Sequence, residues 1–262
     1  MNSDVLRIDL RLRRRGTCWY TTGIAIYTLV IVALYPSFKN DTSLDQLTAH
    51  DSTVAALFGA NGPLTTPTGW LNANLYANFL PLILLLVTTG YGAASLAGQD
   101  EDGTLGLIAT LPVSRPTIVA QKALALVILA VPLSVVTLAC AFAGRGFQLT
   151  ISTSDLLAIT AGTLLLGVDF GAIAMLIGAL TASRSAAVGI TAAIAATSYL
   201  IATLAPVVPW LHPARYGSLF YYAVANDQLA HGLTLLSAAV LVATGLAATL
   251  GAARAFERLD IH

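Results

Sequence analysis

Three consecutive acidic residues, Asp100, Glu101 and Asp102, stand between two long apolar segments of a sequence in which only 10% of residues are charged. Carboxylates in the first turn of a helix interact favourably with its dipole and accept hydrogen bonds from its free N–H groups. The acids are therefore predicted to begin a short helix over about 100–110, which Pro112 ends. Apolar side chains recur along it at three-residue spacing: Leu105, Ile108 and Leu111.

Such a helix offers a partner protein an acidic end and an apolar side. The same residues also suit a solvent-exposed loop in which the acids only increase solubility. The residues alone leave both interpretations open. Neither interpretation requires this segment to catalyse a reaction.

The lysines exclude one class of ATPase. A P-loop requires G-x-x-x-x-G-K-[ST], because the lysine must reach the terminal phosphates of ATP. The sequence has two lysines: Lys39 is followed by Asn, Lys122 is followed by Ala, and neither is preceded by glycine. No P-loop ATPase site is encoded in this chain.

The histidines and serines also give no enzymatic site. A zinc protease of the H-E-x-x-H type and a hydrolase of the G-x-S-x-G type each need a motif that the sequence lacks. The histidines lie in predicted loops and in the C-terminal tail: His50, His212, His231 and His262. We predict no catalytic residue, no metal site and no cofactor bound by this chain.

Asp169 lies near the centre of an apolar segment, where an ionisable side chain is costly and suggests function. At about 100° per residue it points away from the G-x-x-x-G pair Gly167 and Gly171, a common device for close helix packing. Two interpretations remain open. Asp169 is either protonated or hydrogen-bonded to a Thr, Tyr or Asn of another span, or it lines a substrate pathway and favours a cationic group. Three candidate partners are available: Thr88, Thr89 and Asn78.

The elements that position these side chains are membrane-spanning helices. Hydrophobic residues make up 56% of the chain and the mean hydropathy is +0.78. Only 10% of the residues are charged, whereas soluble domains carry about 25% charged residues. About 20 apolar residues cross roughly 30 Å of hydrocarbon. The sequence therefore predicts an all-α integral membrane protein with six transmembrane helices: 17–35, 72–97, 117–143, 155–181, 186–205 and 232–251.

Three further segments are predicted to flank these spans. Residues 4–15 read as an amphipathic helix in the membrane interface, or alternatively as a disordered basic tail. Helical spacing places Arg7, Arg11 and Arg14 on one face of this helix and Val5, Ile8 and Leu12 on another. Residues 36–71 form an external loop. Residues 206–231 combine prolines and aromatics without a long apolar run, which predicts an external re-entrant or interfacial element.

The aromatic residues of this last element have two interpretations. They can form an external gate to a pathway, or they can anchor the protein at the membrane surface. The candidate gate residues are Tyr216, Phe220, Tyr221 and Tyr222, next to Trp210.

The distribution of basic residues orients the six spans. Of the thirteen Lys and Arg residues, ten lie on the side that holds both termini, the 98–116 loop and the 182–185 turn. The other three are Lys39, Arg145 and Arg215. Basic residues accumulate in cytoplasmic loops, so both termini and the acidic segment are predicted to be cytoplasmic in a multi-pass plasma-membrane protein. The net charge is zero and no basic domain exists, so no nucleic-acid partner is expected.

The run D-E-D-G-T-L-x-L-x-x-T-x-P-V-S-R at Asp100–Arg115 resembles the motif of ABC transporter permeases of the type-2 exporter family. The run GWLNANLYANFLP before it and Lys122 after it are similar to that family too. The ending Phe256–Asp260 resembles the family's terminal F-x-R-R-D, with Leu259 in place of an arginine. The resemblance covers nearly the whole chain, 1–262, as a single transmembrane permease domain.

The resemblance implies that segment 99–115 is a cytoplasmic coupling helix between spans 2 and 3 that docks on a separate ATPase (nucleotide-binding) subunit, which binds ATP and Mg. A second permease subunit, identical or different, would complete the pathway for a drug, antibiotic, peptide or lipid-like amphiphile. Gly106 departs from the family pattern, in which a better helix former is usual at this position. Glycine costs about 1 kcal/mol relative to alanine inside a helix. The implied coupling residues are Asp100, Glu101, Asp102, Gly103, Thr104, Leu105, Pro112, Val113, Ser114 and Arg115.

Two other functions fit the same residues. A proton-coupled secondary transporter centred on Asp169 would lose transport when the proton gradient collapses. A membrane scaffold would use its acidic loop to recruit a partner that is not an ATPase.

Overall fold

The computed structural model describes residues 4–41, 63–104, 114–225 and 228–257. Within these ranges every regular element is helical and no strand occurs. Six helices are long and apolar enough to cross a membrane: Val5–Phe38, Pro67–Glu101, Arg115–Phe147, Thr153–Thr181, Arg184–Leu204 and Leu235–Glu257. We call them spans 1 to 6. The predicted all-α membrane fold with six spans is confirmed.

The first helix corrects the prediction of a separate interfacial helix over 4–15. A single helix of 35 residues runs from Asp4 to Phe38, a length of about 52 Å at 1.5 Å per residue. Gly16, which separates the arginine-rich part from the apolar part, does not interrupt it. The residues of the predicted apolar face also differ in burial: Val5 is buried, whereas Ile8 and Leu12 are exposed.

Span 2 is built from three α-helical pieces joined by two π-helical turns. The α-helices are Pro67–Leu71, Phe79–Ala93 and Gln99–Glu101, and the turns are Asn72–Tyr76 and Ala94–Gly98. Span 2 thus begins before the predicted residue 72, and its first helical piece falls within the predicted external loop 36–71. Of that loop, residues 42–62 lie outside the described residues.

Trp70, in the first piece of span 2, is buried against span 1. Its indole Nε1 donates a 3.0 Å hydrogen bond to the carbonyl of Ile31. Its ring stacks on Phe38 with the two centroids 5.4 Å apart. Trp70 therefore ties the C-terminal end of span 1 to the N-terminal end of span 2.

Span 4 is the centre of the bundle and packs against spans 2, 3, 5 and 6, whereas span 1 packs mainly against span 3. Gly92 of span 2 lies directly against Gly171 of span 4. A Cβ atom on Gly92 would lie 2.1 Å from the carbonyl oxygen of Gly171. The pair Gly167 and Gly171 therefore packs close to span 2, as its spacing predicted.

Replacing Gly92 with alanine is expected to destabilise the protein, because the added methyl group meets a backbone oxygen that cannot move without shifting a helix. Overpacking of this kind costs about 1–3 kcal/mol. At Gly90, two residues away in the same helix, an added Cβ would have no atom within 4 Å. Thermal unfolding in detergent should show a lower midpoint for Gly92→Ala and no loss for Gly90→Ala. Equal midpoints for the two variants would contradict the close contact.

Span 5 is followed by short helical pieces instead of a full span. These are a 3₁₀-helix at Pro209–Gly217, a π-helical turn at Tyr221–Ala225 and an α-helix at Gln228–His231. The π-helical turn reaches span 4, because a Cβ on Gly162 would lie 2.7 Å from the carbonyl oxygen of Ala223. Residues 206–231 are thus irregular, as predicted, apart from 226–227, which lie outside the described residues.

Candidate functional site

Asp100 and Glu101 lie in the last helical turn of span 2, whereas the prediction placed them at the start of a new helix; residues 105–110 of that predicted helix lie outside the described residues. The π-helical turn Ala94–Gly98 carries span 2 onward to Glu101. Gly103 then adopts φ +67°, in the left-handed region that favours glycine, and ends the helix. Thr104 supports this end, since its Oγ1 donates to the carbonyl of Gln99 at 3.2 Å.

Among the predicted coupling residues, Glu101, Asp102, Gly103 and Thr104 are exposed, while Asp100 is half-buried. A partner chain can therefore reach most of the described acidic end. The remaining predicted residues of the segment lie outside the described residues: Leu105, Pro112 and Val113, together with Gly106.

Glu101 attaches the acidic segment to span 5. Its Oε1 accepts a 2.9 Å hydrogen bond from the backbone N–H of Arg184, the first residue of that helix. Ser183 caps the same helix end by accepting from the N–H of Ala186. A carboxylate at a helix N-terminus satisfies a donor that has no partner inside the helix, and it interacts favourably with the dipole.

Arg115 attaches the other end of the segment to span 6. Its Nη1 donates to the carbonyls of Phe256 and Glu257 at 3.0 and 3.1 Å. These carbonyls belong to the last turn of span 6, where a cation is favourable. The guanidinium also lies 5.6 Å from the centroid of the buried Phe256 ring. Ser114, just before it, is the N-cap residue of span 3.

A buried ion pair that was not predicted lies beside the segment. Lys122 of span 3 is 0% exposed and Asp9 of span 1 is 3% exposed. Their Nζ and Oδ2 atoms are 3.3 Å apart. The hydroxyl of Tyr91 donates to the same carboxylate at 2.7 Å. An acid and a lysine in membrane helices each cost free energy unless they are paired. That cost is the feature from which the pair could have been predicted.

Gln99 connects this ion pair to the acidic segment. Its Oε1 accepts from Lys122 Nζ at 2.6 Å, and its Nε2 donates to Asp9 Oδ1 at 3.2 Å. Gln99 immediately precedes the three acids. The start of the acidic segment is therefore held by spans 1 and 3, in addition to the contact of Glu101 with span 5.

Asp169 is 1% exposed and faces span 6. Its Oδ1 lies 2.6 Å from the position that a Cβ on Gly245 would take. Its Oδ2 has no hydrogen-bond partner among the described residues. The predicted partners are engaged elsewhere or point elsewhere: Thr88 donates to the carbonyl of Leu84, Asn78 accepts from Tyr199, and Thr89 lines the cavity described next. Asp169 does face away from Gly167, as predicted.

A cavity of about 550 Å³ separates spans 2 and 5. A volume of this size lies within the range of small-molecule sites, which are mostly apolar with a few polar groups. The polar groups here are the hydrogen-bonded pair Tyr199 and Asn78, together with Thr89. Asp169 is not among the residues that line this cavity.

The four predicted gate residues separate into two groups. Phe220 is buried, lines the cavity and contacts the rings of Phe170 and Tyr199, with centroids 6.0 and 5.4 Å away. The three tyrosines Tyr216, Tyr221 and Tyr222 pack edge-to-face in the segment that follows span 5.

Arg215 lies over the Tyr216 and Tyr221 rings, 4.9 and 5.3 Å from their centroids. Its hydrogen bond to the Tyr216 hydroxyl raises the pKa of Arg215, which therefore stays a cation. A cation on aromatic faces stabilises the cluster. Trp210, nearby, is 79% exposed, as expected of an interfacial anchor.

Comparison with known proteins assigns the family. A model of the ABC-2 family transporter protein matches residues 4–253 of this chain. A comparison with curated proteins finds no significant match. The family match extends from the first described helix to the last turns of span 6, and it includes the acidic segment. The chain therefore belongs to the ABC-2 family of transporter proteins.

Proposed function

We propose that this chain is the permease subunit of an ATP-driven exporter, and that a separate ATPase subunit drives it through segment 99–115. The observation that carries the proposal is the double attachment of this segment. Glu101 binds the first turn of span 5, and Arg115 binds the last turn of span 6. A force applied to the exposed acids would thus reach two spans without passing through the rest of the bundle.

The cavity between spans 2 and 5 is the proposed substrate site. The acidic segment ends span 2 and contacts the start of span 5, so a displacement of the segment changes the separation of the two helices that line the cavity. ATP binding and hydrolysis in the partner subunit would supply the displacement. An apolar cavity with one Asn–Tyr pair suits an amphiphile whose polar group is uncharged.

A second permease subunit is proposed to complete the pathway, at the exposed face of span 5. Gly189 and Ala193 are exposed there and lie outside the lining of the cavity. Small residues of this kind let a second helix approach closely. We assign Asp169 to the packing of spans 4 and 6, because it faces Gly245 and not the cavity. The three tyrosines are proposed as a surface anchor, with Phe220 as the side chain that closes the outer end of the cavity.

The orientation proposed is a plasma-membrane protein with both termini cytoplasmic, based on the ten-to-three distribution of basic residues. The ATPase subunit then approaches the side that holds Asp102. This side also holds the 182–185 turn and the C-terminal end of span 6.

Asp102 gives the sharpest test of the proposed docking, because it is exposed and, unlike Glu101, its removal leaves the contact with span 5 intact. Asp102→Lys should reduce co-purification with the proposed ATPase subunit, and it should reduce transport-linked ATPase activity at least tenfold, because it reverses the charge at the docking surface. Pull-down from solubilised membranes and phosphate release measure the two effects.

Asp155→Lys is the matched control, since it makes the same charge change at the start of span 4 on the opposite side. Its association and ATPase activity should equal those of the unsubstituted protein. Unchanged association in Asp102→Lys, or an equal loss in both variants, would remove the docking proposal.

A further inference from the structure

A groove of about 480 Å³ runs between spans 1 and 3 and shares no lining residue with the span 2–span 5 cavity. Span 1 contributes Arg11, Arg14 and Cys18 to its lining. Span 3 contributes three apolar residues: Ile128, Leu129 and Pro132. Leu10 and three threonines, Thr17, Thr21 and Thr22, complete the span 1 side. The groove therefore has a cationic end at the arginines and an apolar wall on span 3.

The cationic end is free to bind an anion. Arg11 and Arg14 are three residues apart, so they lie on one face of the helix. Both are exposed. Among the residues that the structure describes, neither guanidinium forms an ion pair, whereas Lys122 close by is neutralised by Asp9.

The length of span 1 places Arg14 at the level of lipid headgroups, with Arg11 about 4.5 Å further from the hydrocarbon. About 20 residues cross the hydrocarbon core, so counting back from Phe38 reaches approximately Cys18. Arg14 lies four residues further, about 6 Å along the helix axis. Headgroup layers extend roughly 5–8 Å beyond the hydrocarbon on each side. The apolar part of the groove then faces the acyl chains.

We propose that this groove binds one anionic phospholipid. The phosphate binds the guanidiniums of Arg11 and Arg14, which are donors suited to phosphate oxygens. An acyl chain lies along Ile128, Leu129 and Pro132. A lipid in this position bridges spans 1 and 3, the two helices that also supply Asp9 and Lys122 to the buried ion pair.

Native mass spectrometry of the purified full chain, titrated with phosphatidylglycerol or phosphatidylcholine in detergent, tests the proposal. The unsubstituted protein should retain one phosphatidylglycerol and bind phosphatidylcholine more weakly. Each arginine near a phosphate contributes about a fivefold affinity. Arg11→Ala/Arg14→Ala should therefore weaken phosphatidylglycerol binding by roughly thirtyfold.

Two further variants separate the groove from general surface charge. Arg7→Ala/Arg15→Ala removes the same charge from exposed positions of the same helix outside the groove, and it should bind phosphatidylglycerol as the unsubstituted protein does. Cys18→Trp fills the groove while keeping both arginines, and it should abolish retention of the lipid. Thermal unfolding confirms that each variant is folded.

Three results would overturn the proposal. Equal weakening in the two double-arginine variants would indicate diffuse surface charge. Equal binding of the two lipids would indicate no role for the anionic headgroup. Retained phosphatidylglycerol in Cys18→Trp would show that the lipid does not occupy this groove.

Discussion

Replacing Lys122 with methionine is expected to reduce the free energy of unfolding by about 3–5 kcal/mol, because it leaves the carboxylate of Asp9 buried without its cation. Methionine has a similar length and fills most of the space of the lysine side chain. The loss therefore reports the missing charge more than a cavity. The hydroxyl of Tyr91 and the amide of Gln99 still donate to Asp9, but neither carries a charge. Thermal unfolding in detergent, and the yield of monodisperse protein, measure the effect.

The double variant Asp9→Asn/Lys122→Met distinguishes a charge effect from a packing effect. Replacing both members of a buried ion pair is often nearly neutral, whereas removing one is strongly destabilising. The double variant should thus recover most of the lost stability. Arg7→Met, which removes an exposed cation from span 1, should stay within about 0.5 kcal/mol of the unsubstituted protein. A stable Lys122→Met protein, or a double variant no better than the single one, would contradict this view of the pair.

Replacing Arg115 with alanine is expected to uncouple ATP hydrolysis from transport. The change removes both hydrogen bonds to the last carbonyls of span 6 and the contact with the Phe256 ring. The exposed acids remain, so association with the ATPase subunit should persist. Transport should fall at least tenfold, since the segment loses one of its two attachments. Transport into inside-out vesicles and ATPase activity, measured on the same preparation, give the ratio of transport to ATP hydrolysis.

Arg254→Ala is the matched control for Arg115. It removes an arginine from the last turn of the same helix, but this side chain is exposed. Transport and ATPase activity should both remain close to those of the unsubstituted protein. If Arg115→Ala loses ATPase association together with transport, Arg115 belongs to the docking surface and not to the attachment on span 6.

Local sequence patterns were sufficient for the all-helical class, the six spans and the family. Apolar runs such as 117–143 identify a span because hydrocarbon thickness sets a minimum length whatever the neighbours are. The Asp100–Arg115 motif identifies the family because its residues are adjacent in sequence. The seam at Gly167 and Gly171 was also predictable, since helical spacing fixes which residues share a face.

The boundaries of the helices were less predictable. The arginine-rich residues 4–15 continue span 1 because a single glycine, Gly16, does not stop the helix, and polarity alone did not reveal this. The three acids finish a helix because a π-helical turn extends span 2 and Gly103 then takes a left-handed conformation. A carboxylate at the end of a helix is unfavourable for the dipole of that helix. Glu101 offsets this by accepting from the first N–H of a different helix.

Partners distant in sequence were decided only by the tertiary structure. Asp9 meets Lys122, Glu101 meets the backbone of Arg184, and Asp169 meets Gly245 instead of the threonines or asparagine expected. In a bilayer the apolar faces of helices are almost equivalent, so apolar patterns do not specify which helices are neighbours. Small residues and paired polar groups make that choice. The sequence alone thus determined the six membrane-spanning helices and the family of the chain. The packed structure determined that the acidic segment is held at both ends by other helices.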